Sequence, residues 1–173
     1  MKKLYALLII LIIIYVGINL NNIPFVSDNS TVNVTENITD NVTESIISVG
    51  ASNFPTLDNF TDSSLNDTTT SLADNEGITI YVSEIDNSQS IEDIYNSFIG
   101  GSEHTATETI DQNGVTTYFV YNTGSESYDA DIFFNKNGQN YLISGDGIPL
   151  SDSDYFINHC KTIIDTIEIN STS

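Results

Sequence analysis

The chain contains no arginine and no tryptophan, and its 173 residues include only four lysines, three prolines and one cysteine. Because nucleic-acid phosphates are bound mainly by Lys and Arg, this composition excludes a basic surface for DNA or RNA. The 24 acidic residues give a formal net charge of -20, which repels anionic lipid headgroups and attracts cations or basic proteins. The simpler interpretation is that the charge maintains solubility.

The scarcity of cysteine also limits the fold. Cys160 has no partner within the chain, so an internal disulfide is excluded and stability must come from the core. No cysteine follows the apolar N-terminal run, which excludes lipid attachment of the lipoprotein type.

The N-terminus carries the most informative pattern. Lys2 and Lys3 precede an uncharged run, Leu4–Leu20, which is near the minimum length that spans a bilayer. The pattern predicts a cytoplasmic stub at residues 1–3, a transmembrane signal anchor at 4–20, and an extracytoplasmic remainder. A cleaved signal peptide, giving a secreted protein, is the alternative, although no Ala-x-Ala site follows the run.

Residues 21–45 are predicted to form a disordered tether. Asn-x-Ser/Thr tripeptides recur every four residues between 29 and 44, in a polar stretch that buries too little to offset ordering entropy. Either this is a glycosylated segment or it is a polar spacer of biased composition. The glycosylation candidates of the whole chain are Asn29, Asn33, Asn37, Asn41, Asn59, Asn66 and Asn170.

Residues 46–170 are long enough for one domain with its own core. Two Asn-Gly pairs, at 113–114 and 137–138, are typical of type I′ turns between antiparallel strands. The predicted strands are Ser45–Val49, Thr69–Ala73, Ile78–Val82, Thr107–Asp111, Val115–Asn122, Tyr128–Asn135, Gln139–Ser144 and Thr166–Ile169. The segment 51–70 is expected to be rich in loops.

Two amphipathic helices are predicted beside this sheet. The first is capped by Ser90 with Asp93 and ends at Gly100-Gly101 in a left-handed cap. The second begins with a capping box of Ser151 and Asp154. The result is an α+β domain: an antiparallel meander packed with two or more amphipathic helices, preceded by the transmembrane helix.

The order of elements resembles that of PsbP-like domains over residues 46–169. The similarity depends on the helix of residues 90–95 after a strand, the Asn113-Gly114-Val115 turn, and residues 137–143 before a closing helix. It implies a fold whose members are mostly non-enzymatic extrinsic subunits, protein-binding modules or extracytoplasmic domains. It implies no cofactor and no photosynthetic role.

The residue types of common catalytic sites are sparse. His159 and Cys160 are neighbours in a predicted helix and do not share a face, so they form neither a metal pair nor a nucleophile–base pair. Cys160 is expected in the core, between Phe156 and Ile164. His104 is expected in a loop or at the start of a strand.

Weak candidates for a calcium site are Asp146, Asp152 and Asp154, with a second polar group at residues 86–90. Neither has EF-hand spacing. The plainer interpretation is turn and helix-cap chemistry, because Asp152 and Asp154 are favoured electrostatically at a helix N-terminus. We predict no catalytic residues and no cofactor.

The sequence therefore predicts a non-catalytic, membrane-anchored cell-surface domain that binds an envelope protein or has a structural role. The alternatives are a ligand- or cation-binding module and a surface hydrolase with paired carboxylates. Tyr81, Tyr118 and Phe133 are candidate anchors on an open sheet face; alternatively they pack under residues 51–70.

Overall fold

The computed structural model describes residues 45–170. The predicted stub, signal anchor and tether, with Asn29, Asn33, Asn37 and Asn41, lie outside the described residues. Neither helix in the described part of the chain is long and apolar enough to cross a membrane.

The described chain forms two antiparallel sheets and two α-helices, as predicted for an α+β domain. The helices are α1 (Ile91–Gly101) and α2 (Ser153–Thr166), the latter preceded by a 3-10 turn, Leu150–Asp152. The strands are β1 (Ile46–Val49), β2 (Ser52–Pro55), β3 (Phe60–Asn66), β4 (Thr69–Asp74), β5 (Thr79–Ile85), β6 (Ala106–Gln112), β7 (Val115–Thr123), β8 (Ser127–Lys136), β9 (Gln139–Pro149) and β10 (Glu168–Ile169).

The larger sheet has seven strands in the order β3-β4-β5-β9-β8-β7-β6, and the smaller has the order β1-β2-β10. Side chains alternate between the two faces of each strand, so the larger sheet has two distinct surfaces. We call the face that packs on α2 and the small sheet the inner face, and the opposite face the outer face.

The inner face holds the main core. Buried aliphatic and aromatic side chains of β4, β5, β7, β8 and β9 meet fully buried residues of α2. Phe156, Cys160, Ile163 and Ile164 follow helical spacing, so one face of α2 enters the core. This confirms the predicted buried position of Cys160.

On the outer face, α1 packs over β7 and β8. Tyr95 is buried with Val120 and Phe133, and its ring lies 4.7 Å from that of Tyr118. Because α1 spans only eleven residues, it covers part of a seven-stranded face: Ile85 of β5 and Leu142 of β9 pack with its cluster, whereas Tyr81 lies outside it.

Both Asn-Gly hairpins are confirmed. Asn113 and Gly114 have φ of 52° and 85°, and Asn137 and Gly138 have φ of 54° and 86°. Positive φ at both central positions is the type I′ conformation, which matches the twist of the flanking strands.

Three local predictions were wrong. Residues 51–70 contain two strands, β2 and β3; β3 was missed because it is a polar edge strand, exposed along nearly all its length. Gly100 and Gly101 are helical, and α1 ends at an extended Ser102. Ser151 lies in the 3-10 turn, and Asp152 occupies the N-cap of α2 without a side-chain cap bond.

A carboxylate joins the two sheets. Glu84 on β5 accepts hydrogen bonds from the Ala51 backbone N–H at 2.9 Å and the Ser52 hydroxyl at 2.6 Å. Ser52 is buried and lies 2.7 Å from the Tyr141 hydroxyl. The tight turn that presents these donors requires φ of 58° at Gly50.

One of the two lysines in the domain caps a helix from a distance. Lys136 Nζ donates to the carbonyl oxygens of Ile164 at 2.9 Å and Asp165 at 2.6 Å, at the end of α2. Burial lowers its pKa, opposed by the nearby Asp165 and Glu168. The last turn of α2 has no basic residue of its own, so β8 supplies the cation that the helix dipole favours there.

Candidate functional site

The open part of the outer face carries a row of polar side chains around one tyrosine. Strand register places Ser71 beside Tyr81, Tyr81 beside Ser144, and Ser144 beside Asp131. Ser83 occupies the next position of β5, beside Leu142. We call Ser71, Tyr81, Ser83, Ser144 and Asp131 the outer strip.

Tyr81 is half-buried and belongs to neither hydrophobic cluster. Its cross-strand neighbours are serines, whose short side chains leave the flanks of the ring open. Asp131 lies two strands away, on the order of 10 Å at ordinary strand spacing. A tyrosine ring and a carboxylate at this separation are suited to a lysine or arginine side chain that lies along the ring.

Asp131 is the electrostatic centre of the strip. Burial, together with Asp146 and Asp129, raises its pKa to about 6. Asp131 therefore lies close to two other carboxyl groups, and no lysine lies on the outer face of the neighbouring strands. A positively charged group bound here would relieve their mutual repulsion.

A cavity of about 310 Å³ adjoins the strip at the side of α1. Ile85, Ile94, Phe133 and Leu142 form its apolar walls, and the β5–α1 connection, through Asp86, Ser88 and Gln89, forms its polar rim. The cavity meets the strip because Leu142 pairs directly with Ser83. We call this cavity the helix pocket.

A buried asparagine fixes the rim of the helix pocket. Asn140, only 2% exposed, donates from Nδ2 to the Asp86 carbonyl at 3.0 Å and the Gln89 carbonyl at 2.9 Å. Its backbone N–H donates to Asn87 Oδ1 at 2.7 Å, and its Oδ1 accepts from Asn135. These bonds hold the β5–α1 connection to the β8–β9 hairpin, so the pocket is formed in the unliganded protein.

We expect Asn140→Ala to destabilise the domain by about 2–3 kcal/mol, because it leaves two rim carbonyls and an amide without their partner. Amide hydrogen exchange at residues 86–89 should rise by more than exchange in β8. Asn96→Ala, at an exposed position of α1, is the control and should be neutral or slightly stabilising. Equal unfolding midpoints in urea for the two variants would contradict this role.

The predicted anchor aromatics do not share one surface. Phe133 is buried against Phe98 and Tyr95, and Tyr118 stacks on Tyr95. Both therefore pack under α1, and neither lies free or under residues 51–70. The prediction was wrong for these two because the sequence does not show which sheet face the helix covers. Tyr81 is the one of the three that lies outside this packing.

The calcium candidates are acidic but are not gathered into a site. Asp146 is exposed at a β-bulge of β9, where the neighbouring Gly147 N–H donates to Asp129 at 2.7 Å. Asp152 and Asp154 lie at the start of α2, where the helix dipole favours negative charge. Between residues 45 and 170, no group of three or more His, Cys, Asp or Glu side chains is arranged to hold a metal ion.

The two histidines and the cysteine have separate surroundings, although His159 and Cys160 are consecutive in α2. His159 Nδ1 lies 2.8 Å from the Tyr155 carbonyl, and its ring packs on Tyr155 and Phe60. Cys160 is fully buried, and burial raises the pKa of its thiol well above the usual value. His104 is exposed beside the carbonyl of Ser102.

The three described glycosylation candidates are all exposed. Asn66 forms an Asx turn in which its Oδ1 accepts from the Thr68 N–H and hydroxyl. Asn59 has a φ of 67°, and Asn170 Oδ1 accepts from Asn53. Occupancy at these positions stays a prediction.

Neither the outer strip nor the part that Asn140 takes in the pocket rim was predicted from the sequence. Alternation along β5 and β9 separates Tyr81, Ser83 and Ser144 from the core positions, which was an available signal. Asn140 is bonded to residues more than fifty positions earlier, and no local pattern indicates such a contact.

Comparison with known proteins finds a distant likeness in fold. No family model and no curated protein matches the sequence. Among solved structures, the solution structure of cyanobacterial PsbP (CyanoP) from Synechocystis sp. PCC 6803 is similar, with a TM-score of 0.44 and 13% identity over 69% of this chain and 86% of that chain.

Proposed function

We propose that this protein is a non-catalytic, membrane-anchored extracytoplasmic domain of the PsbP-like type that binds a basic segment of another envelope protein. Charge complementarity at the outer strip carries this proposal. Four of the 24 acidic residues precede residue 45, so the described domain has 20 of them against Lys136 and Lys161. Neither lysine lies on the outer strip, and Lys136 is bonded to α2.

The partner is inferred to be polypeptide from the shape of the surface. The strip runs across four strands and presents one aromatic ring among short polar side chains, which suits an extended segment more than a small molecule. Tyrosine is enriched among the residues that dominate protein interfaces. Lysine or arginine of the partner would pair with Asp131 and pack on Tyr81.

The proposal of a non-enzymatic role is supported by how the structure uses its reactive groups. Cys160 is inside the core, His159 is packed between aromatic rings, and His104 bonds locally. General acid–base or nucleophilic catalysis requires such groups within hydrogen-bond reach of one another.

Binding is tested with fluorescent Lys- and Arg-rich peptides and the full-length protein in non-ionic detergent. Asp131→Asn should weaken binding about 3- to 10-fold, and Tyr81→Ala by a similar factor. Glu168→Gln, an exposed charge on the small sheet, is the matched control and should change affinity less than twofold. Equal losses for Asp131→Asn and Glu168→Gln would show attraction by net charge alone and would refute the strip.

Asp131 also predicts a dependence of stability on pH. Its pKa is raised to about 6 from 3.8, so the folded state favours the protonated form. The stabilisation is fully present below pH 3.8 and is lost as pH rises through 6, on the order of 1 kcal/mol after allowance for solvent screening. Asp131→Asn should remove this part of the pH profile of the unfolding free energy and stabilise the protein at pH 7.

The control for that profile is Asp62→Asn, at an exposed position of β3. It removes one charge without touching the strip, so the drop between pH 4 and 6 should persist. A profile unchanged by Asp131→Asn would contradict the placement of Asp131 as a half-buried, repelled carboxylate.

Anchoring is tested by the intact mass of the protein isolated from its native membrane. A mass that includes Met1–Leu20, with hexose-type additions, would support the anchored glycoprotein. A mass that begins beyond about residue 20 would support the secreted alternative, and the binding surface would then act in solution.

A further inference from the structure

The helix pocket has features that the outer strip does not explain. Four of its seven lining residues are apolar, whereas the strip beside it is polar. Its rim is fixed by Asn140, so its shape does not depend on an occupant. Preformed concave sites with apolar walls and a few polar groups are where small ligands or anchor side chains bind.

The rim of the pocket is negatively charged. Asp86 accepts hydrogen bonds from the Ser88 N–H at 2.9 Å and the Ser88 hydroxyl at 2.5 Å, and these bonds lower the pKa of its carboxyl. Glu92 and Asp93 follow in the first turn of α1 and are exposed. Of these three carboxylates, that of Asp86 lines the pocket, so it is the charge that an occupant meets at the rim.

We propose that the helix pocket receives one bulky apolar side chain of the basic partner segment, with a lysine or arginine directly beside that side chain in sequence. This deepens the proposed function and rests on it. Leu142 and Phe133 lie two positions along β9 and β8 from Ser144 and Asp131, so the pocket opens beside the strip, within reach of a side chain of a segment bound there. The apolar side chain contacts Phe133, Leu142 and Ile94, and its basic neighbour lies at the Asp86 carboxylate.

The charge of the domain favours a basic apolar segment over three other possible occupants: a second copy of the domain, an anionic ligand and a neutral apolar molecule. A second copy of this domain would bring a further 20 carboxylates against two lysines, and an anionic ligand would meet the same repulsion. A neutral apolar small molecule would pack against the apolar walls but would leave the Asp86 carboxylate at the rim without a positive charge to pair with. In a segment that is both basic and apolar, the apolar side chain packs against the walls while the basic side chain pairs with the carboxylate at the rim.

The test uses four short blocked peptides as probes: Lys-Phe-Lys, Lys-Ala-Lys, Gly-Phe-Gly and Glu-Phe-Glu. They are titrated into the full-length protein in non-ionic detergent, labelled at isoleucine and leucine methyl groups for NMR. Lys-Phe-Lys should shift the methyl resonances of Ile85, Ile94 and Leu142. It should also bind about 5- to 20-fold more tightly than Lys-Ala-Lys, as expected for partial burial of one large side chain.

Two pairs of variants distinguish the contribution of the apolar walls to peptide binding from that of the acidic rim. Gln89→Trp places a ring over the pocket and should abolish the preference for Phe over Ala, whereas Asn96→Trp, exposed elsewhere on α1, should keep it. Asp86→Asn keeps one oxygen that can accept from the Ser88 N–H, loses the second acceptor, and removes the charge. It should lower the affinity for Lys-Phe-Lys about 3- to 10-fold, while Glu168→Gln should not.

The outcomes distinguish this inference from the function on which it rests. If Lys-Phe-Lys and Lys-Ala-Lys bind equally and the pocket methyl groups do not shift, the inference is refuted and the basic-partner proposal stands. If Gly-Phe-Gly binds as tightly as Lys-Phe-Lys, the pocket takes neutral apolar ligands and the inference is again refuted. If neither lysine peptide binds, both proposals fall.

Discussion

Gly50→Ala should destabilise the domain by about 3–5 kcal/mol, one of the largest effects of any single methyl group in this chain. A Cβ at position 50 would overlap the carboxylate of Glu84. The φ of 58° is also costly for any residue with a side chain. The Glu84 side chain would have to move aside to avoid this overlap. Ala51 and Ser52 would then lose their acceptor, and the link between the two sheets would be broken.

Two further variants identify the cause. Gly114→Ala has a similar positive φ and open space around its Cβ, so it should cost only the backbone strain, about 1–2 kcal/mol. In a double-mutant cycle, Gly50→Ala with Glu84→Ala should cost clearly less than the sum of the single changes, because each removes the same bonds. Strict additivity in urea unfolding would contradict the proposed clash.

Gly145→Ala should destabilise the domain by about 2–4 kcal/mol through overpacking. A Cβ at position 145 would lie 2.5 Å from Phe156 Cε2 and 2.8 Å from Ile148 Cδ1. Phe156 is fully buried in the main core, so its ring has no solvent side toward which to move. Unlike Gly50, this glycine has no positive φ, and the cost comes from packing alone.

Phe156→Leu tests that origin. The smaller side chain leaves a cavity and should destabilise the protein by itself, but combined with Gly145→Ala the total should be smaller than the sum. Gly100→Ala, in α1 with nothing near its Cβ, is the control and should stabilise the protein by up to about 1 kcal/mol. Thermal unfolding that shows no difference between Gly145→Ala and Gly100→Ala would refute the packing argument.

The parts of the fold that were predictable are those encoded within a few residues. Asn113-Gly114 and Asn137-Gly138 specify their own turn geometry, so both hairpins and the strands beside them followed. The periodicity of Phe156, Cys160, Ile163 and Ile164 gave the buried face of α2 correctly. Strand β3 was missed because its polar residues need no burial at the edge of a sheet.

The candidate site was less predictable because it is made by long-range placement. Tyr81 is open because α1 lies mainly over β7 and β8 and reaches β5 only near Ile85, and nothing near residue 81 encodes that choice. Asn140 resembles any polar residue that follows a turn until the carbonyls of Asp86 and Gln89 are placed beside it. Helix packing and hydrogen bonds between distant segments are the features that local patterns in a single sequence predict least well.

Because Lys136 is bonded to the end of α2, the folded domain offers trypsin few accessible cleavage sites. Trypsin cleaves after lysine and arginine, and between residues 45 and 170 it has only Lys136, bonded to the end of α2, and Lys161, within α2. Cleavage at either position requires that part of the domain to open, so the rate of digestion reports that opening. Complete digestion leaves the small fragments Asn137–Lys161 and Thr162–Ser173 beside one very long peptide. A protease that cuts at acidic residues would cover the domain far better.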